Sequence, residues 1–141
     1  MGLDMSGKWQ KKINGEWIDI EGRFEWFQGN RNREFFWLLM GEENEATKEI
    51  EKELIVVLSK MYSGEKTCDE ILSFDSIKEL NDAGWNFGGA GFLSLKELKE
   101  IRKTLKKGCT EARCLDSFIG EVEKYVETDD EDYRAIFVFD N

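Results

Sequence analysis

Trp9-Gln10-Lys11-Lys12-Ile13-Asn14-Gly15-Glu16-Trp17-Ile18-Asp19-Ile20 is the stretch from which the architecture unfolds. Asn-Gly is the preferred two-residue hairpin turn, because both central positions need positive φ. Trp9, Lys11 and Ile13 alternate with Gln10 and Lys12, as a strand with one apolar face does. The return arm is less regular, with Trp17 set against Ile18 and Ile20. Arg23-Phe24-Glu25-Trp26-Phe27 continues it as a third strand. At the far end of the chain Tyr133–Phe139 is rich in β-branched and aromatic residues and also reads as a strand. Sheet-forming segments at both ends with helices between them predict an α+β fold. We expect a single domain over residues 1–141, with a small, mostly antiparallel sheet built from the N-terminal hairpin and the C-terminal strand.

The intervening chain predicts about five helices from apolar periodicity and caps. Glu34–Met40 is strongly apolar and stops at Gly41, a C-cap. Ala46–Tyr62 places Ile50, Leu54, Val57, Leu58 and Met61 on one helical face, and Gly64 closes it. Thr67/Glu70 and Ser76/Glu79 have capping-box spacing, which suggests short helices across 68–82. Ser94/Glu97 has it too, and starts a helix with Leu95, Leu98, Ile101 and Leu105 inward. Its outer face carries Lys96, Lys99, Arg102, Lys103, Lys106 and Lys107, and Gly108 ends it. The last helix runs from Thr110 to about Thr128, with Leu115, Phe118, Ile119, Val122, Tyr125 and Val126 on one face. Gly84–Leu98 joins the two sets of helices. Its glycines (Gly84, Gly88, Gly89, Gly91) and aromatics (Trp85, Phe87, Phe92) read as a loop, either an anion nest ahead of a helix or a tight connection.

The chain has 141 residues and a net charge of −10 with no histidine and no proline. Without histidine it lacks the usual neutral-pH base and the commonest metal ligand, which excludes Ser-His-Asp triads, Cys-His pairs and Cys/His zinc sites. Cys68, Cys109 and Cys114 are odd in number and form no C-x-x-C, as expected of structural thiols in a reducing compartment. No apolar run is long enough to span a membrane, and the N-terminus lacks a basic-then-apolar leader. A cytoplasmic protein without cofactor or metal is therefore expected. So much acidity disfavours direct DNA binding. A basic island at 96–107 lies between two acidic blocks.

Several groups are candidates for binding. Arg31, Asn32 and Arg33 can hold a phosphate or carboxylate, or can pair with Asp4 or Asp140. Gly88, Gly89 and Gly91 are the nest candidates. The carboxylates Glu42, Glu43, Glu45, Asp129, Asp130, Glu131 and Asp132 can imitate a phosphate backbone towards a basic partner, with Trp85 and Phe87 as anchors. The plainer reading of the charged blocks is a solvated surface.

Four segments taken in order resemble a family of small bacteriophage proteins. The opening Met1-Gly2-Leu3-Asp4-Met5-Ser6 is similar to that family's M-G-C-D-I-H, and Arg31-Asn32-Arg33-Glu34-Phe35-Phe36 to its R-N-Y-D-L-F. Asn86–Leu98 is similar to its D-G-H-S-H-S-W-L-T-L-x-E-L, and the end Ile136–Asn141 to its F-W-F-D-N. The family's histidine positions are here Ser6, Gly88 and Ala90, and its loop aspartate is Asn86. Asp4, Arg31, Asn32, Glu34, Asp140 and Asn141 are the polar positions that persist. The resemblance implies a phage or prophage accessory protein acting in the bacterial cytoplasm. With the imidazoles gone, it implies a non-enzymatic inhibitor of a bacterial defence protein or nuclease complex, of the anti-CRISPR kind. The alternatives are a sponge for a nucleotide signal and a degenerate metal-dependent enzyme using Asp4 and Asp140.

Overall fold

A computed structural model describes residues 4–20, 22, 24–27, 39, 89–105 and 108–140. They form an antiparallel sheet of five strands: β1 (Asp4–Ile13), β2 (Glu16–Asp19), β3 (Phe24–Phe27), β4 (Gly89–Ser94) and β5 (Tyr133–Asp140). Two α-helices, α1 (Leu95–Thr104) and α2 (Thr110–Glu123), and a 3-10 turn at Asp130–Asp132 complete the described part. The α+β class and the antiparallel sheet agree with the sequence reading. The count of five helices is not supported: the segments Ala46–Tyr62 and 68–82 lie outside the described residues. Of Glu34–Met40 only Leu39 is described, helical and fully buried in the core.

The hairpin forms at the expected turn. Asn14 (φ 52°) and Gly15 (φ 81°) are both left-handed, as a two-residue turn requires. β1 starts earlier than the apolar pattern implied, at Asp4, because it is the central strand and is paired along both edges. On one side it meets all of β5 from Lys11↔Tyr133 to Asp4↔Asp140. On the other, β2 covers residues 10–13 and β3 covers residues 4–7. Between these two pairings residues 20–23 span only Lys8 and Trp9, so the return strand carries a two-residue break. Two extra residues keep the side-chain parity, so Ile18, Phe24 and Trp26 lie on one face of the return strand and Trp17 on the other, where it meets Arg134.

Both helices pack on the same face of the sheet. Leu95, Leu98, Ile101 and Leu105 are buried beneath α1, as the periodicity predicted. Ser94 caps α1 with both arms of a capping box: its Oγ accepts from the Glu97 N–H at 3.0 Å, and Glu97 Oε1 accepts from the Ser94 N–H at 2.9 Å. Such a cap contributes about 1 kcal/mol. α1 ends at Thr104, before Gly108, which sits in the connection at φ 85°. The α2 cap is a cysteine, Cys109, whose Sγ accepts from the Ala112 N–H at 3.4 Å.

α2 stops at Glu123 rather than near Thr128. The buried Tyr133 accounts for this: its hydroxyl donates to the Tyr125 carbonyl and accepts from the Glu127 N–H at 2.8 Å. Those two groups would otherwise carry the next helical turn. Tyr125 consequently lies exposed instead of on the buried face.

Phe118 is the hub of the core. Its ring lies 4.8 Å from Trp9, 5.0 Å from Phe24, 5.8 Å from Trp26 and 5.3 Å from Phe137. One turn along α2, Glu121 takes hydrogen bonds from the indoles of Trp26 (3.2 Å) and Trp9 (3.5 Å), tying the helix to β1 and β3.

The glycine-rich stretch is the principal correction to the sequence reading. Gly89 and Gly91 belong to β4, registered on Phe139 and Phe137, and are not a loop. Gly91 and Gly7 flank Phe137 from either side on the helix-facing side of the sheet. Glycines there leave room for the aromatic rings that fill the layer, a packing use of the missing side chain. An extended, ladder-paired backbone does not curl its N–H groups around an anion as a nest does.

Candidate functional site

The opposite face of the sheet carries the candidate site, because the register brings the opening, glycine-rich and C-terminal segments together there. Ser6 from the first pairs with Val138 from the last, and Val138 pairs with Ala90 from the glycine-rich one. Ser6, Val138 and Ala90 thus form one row across β1, β5 and β4. In the next row of this face Asp4 stands opposite Asp140. Ser6 and Ala90 lie two strands apart on one face, about 10 Å, with Asp4 and Asp140 in the neighbouring row. Arg31, Asn32, Arg33, Glu34, Gly88 and Asn141 lie outside the described residues, so the row assembles the frame of the site only.

Farther along the same face is a polar chain that the sequence reading missed. Arg134 is almost fully buried, with its guanidinium carbon 4.2 Å from the Trp17 ring and 5.2 Å from the Phe92 ring. Stacking of this kind suits a planar, weakly hydrated cation. Its Nε donates to Gln10 Oε1 at 2.8 Å, and Gln10 Nε2 donates to Asp19 Oδ1 at 2.9 Å. Asp19 also pairs with Lys8 at 3.2 Å. The signal was present in the alternation, since Gln10 and Arg134 are register partners. Reading it required the β1–β5 pairing, which no local pattern supplies.

Burial pushes the Asp19 carboxyl up, but the bonds from Gln10 and Lys8 outweigh it and hold the group below its ordinary value. A depressed carboxyl adds stability above its unfolded pKa, and that contribution disappears as pH falls through the folded value. Asp19→Asn is therefore expected to flatten the loss of stability below about pH 4, read as the difference in Tm between pH 6 and pH 3. Asp19 is half exposed, so the effect is small. An unchanged acid limb would mean that the Gln10–Asp19 bond does not persist in solution.

The charged surfaces prove to be partners of each other. Lys96 pairs with Glu131 at 2.9 Å, Lys99 with Glu123 at 3.0 Å and Asp130 at 3.1 Å, and Arg102 with Asp116. The Glu131 hydrogen bond raises the Lys96 ammonium pKa. Burial lowers that of Lys99, but Glu123 and Asp130 together take it above its ordinary value. Lys96, Lys99 and Arg102 of the basic face are thus paired from α2 and the 3-10 turn, while Lys106 and Lys107 lie outside the described residues. Of the acidic candidates, Asp130 and Glu131 serve this internal pairing, while Asp129 and Asp132 flank it. Glu42, Glu43, Glu45, Trp85 and Phe87 lie outside the described residues.

No group of three or more His, Cys, Asp or Glu suited to a metal ion occurs among the described residues. No helix among them is long and apolar enough to cross a membrane. No protein-family model, curated protein or solved structure matches this chain.

Proposed function

We propose that this protein is a non-enzymatic phage or prophage accessory protein that binds and inhibits a bacterial defence component, such as a nuclease complex of the anti-CRISPR kind. The observation that supports this reading is the Ser6–Val138–Ala90 row. It keeps the frame in which the family-like segments meet, while serine and alanine stand where the resembled family has imidazoles. Neither residue can take and return a proton near neutral pH as histidine does. A converged site without its acid–base groups is suited to binding rather than turnover.

Acidic surfaces offered to a basic groove would supply the attraction, as nucleic acid does. With Asp130 and Glu131 engaged by α1, Glu42, Glu43, Glu45, Asp129 and Asp132 are the carboxylates left for that role. The test is a tagged pull-down from bacterial lysate at low salt, with the eluate divided between protein identification and small-molecule mass spectrometry. The expected result is one stoichiometric defence protein, released steeply as salt is raised from about 0.1 to 0.5 M. Salt-independent association would reject nucleic-acid mimicry. A bound nucleotide without a protein would replace the inhibitor with the sponge.

A second reading draws on the backbone register of Asp4 with Asp140. It takes the pair as hard-cation ligands of a degenerate metal-dependent enzyme. That reading requires a rise in Tm with Mg²⁺, Mn²⁺ or Ca²⁺ that Asp140→Asn removes. An unchanged Tm with all three ions disposes of it.

A further inference from the structure

We propose that the groove between α1 and α2 is a binding site for a small phosphate-bearing anion. Lys99, Arg102 and Lys103 line one wall, and Asp116, Ile119, Gly120 and Glu123 the other, around a volume of about 320 Å³. That lies at the small end of the range for ligand sites. Two cross-groove ion pairs, Lys99–Glu123 and Arg102–Asp116, hold the walls at a fixed separation. They use two of the three cations. Lys103 is exposed and has no carboxylate partner among the described residues, which leaves the lining with a surplus positive charge. Arg102 is half exposed and bonds Asp116 through Nε, and a guanidinium carries further donors of the kind that fork onto phosphate oxygens.

Gly120 supplies an independent observation. A glycine inside a helix costs roughly 0.5–1 kcal/mol relative to alanine. Here φ is not in the left-handed region, and a Cβ would meet nothing within 4 Å. Neither backbone conformation nor close packing calls for glycine at this position. What the missing side chain leaves open is the floor of the groove, beside Ile119. An apolar floor, a free ammonium and a half-engaged guanidinium are what a phosphate group with a small organic body needs. Inorganic phosphate and a mononucleotide share the anionic part of this chemistry and differ in the body.

The experiment is a ³¹P NMR titration of the intact protein at low salt, with inorganic phosphate and AMP as separate probes. It is repeated on Lys103→Gln and Gly120→Leu, with circular dichroism to establish that both variants are folded. Gly120→Ala, which leaves most of the groove open, serves as the control for backbone effects. We expect saturable binding by the wild type, weakened about tenfold by loss of the Lys103 charge and abolished by Gly120→Leu, with Gly120→Ala close to wild type. Tighter binding of AMP than of phosphate assigns a role to the floor, and equal binding confines recognition to the phosphate. Absence of saturable binding by both probes overturns the proposal, as does binding that survives both Lys103→Gln and Gly120→Leu. The protein identified in the lysate pull-down is read independently of this groove, and a nucleotide found there is assigned to the groove only if Lys103→Gln and Gly120→Leu remove it.

Discussion

Gly7→Ala is expected to abolish the fold. A Cβ at this position would fall on the Ile136 carbonyl oxygen and within 2.8 Å of both the Ile136 carbonyl carbon and Phe24 Cζ. A flexible side chain can swing aside, but the Ile136 carbonyl is backbone in the middle of β5. Relief requires β1 and β5 to separate, which breaks the longest pairing in the sheet, Asp4–Lys11 against Tyr133–Asp140. The cost exceeds ordinary overpacking, which runs at about 1–3 kcal/mol, and takes up much of the roughly 5–15 kcal/mol that a domain has in total. Insoluble expression or loss of a cooperative thermal transition is the predicted outcome. Gly22→Ala is the matched control, since a Cβ at Gly22 meets nothing within 4 Å. A Gly7→Ala protein melting within a few degrees of wild type would mean that the two strands do not approach this closely.

Phe118→Ala carries the second-largest expected effect. The ring is fully buried and touches four other aromatic rings on three strands, so its removal leaves a void that no single neighbour can fill. Truncations of this kind cost about 3–5 kcal/mol. Each aromatic contact adds roughly 0.5–1.5 kcal/mol beyond area. Urea unfolding followed by tryptophan fluorescence reads the change directly, because Trp9 and Trp26 are in the cluster. Phe118→Leu keeps most of the volume and is expected to lose clearly less. Equal losses for the leucine and alanine variants would show that ring geometry, not filled volume, holds the cluster.

What could be read in the sequence was what is chemically local. The Asn14-Gly15 turn, the Ser94–Glu97 capping box and the four inward residues of α1 each depend on neighbours within a few positions. β4 did not declare itself because its identity is set from outside. Gly89 and Gly91 have no side chains to alternate, and their purpose appears only when Phe137 and Phe139 are alongside. The charges of α1 were plain in the sequence, but their partners Glu123, Asp130 and Glu131 lie about 25–35 residues away, beyond any helical spacing rule. The end of α2 was misplaced for a similar reason, since the Tyr133 hydroxyl that captures its last turn comes from the next strand. At the candidate site, residue types and their order along the chain were legible. The Ser6–Val138–Ala90 row was not, because a register is a property of the sheet.

The position of β1 between β5 and the β2–β3 pair has a consequence for how the protein is made. A ribosome releases β1 and its hairpin partner more than a hundred residues before β5, which pairs with Asp4–Lys11 along the other edge. While the residues between them are made, the future centre of the sheet is a bare edge, open to pairing with another nascent chain. Closing it requires bringing together segments more than a hundred residues apart, a slow step for any chain. The sheet cannot close before β5 has emerged, and until then β1 needs shielding if the chain is to fold rather than pair with another.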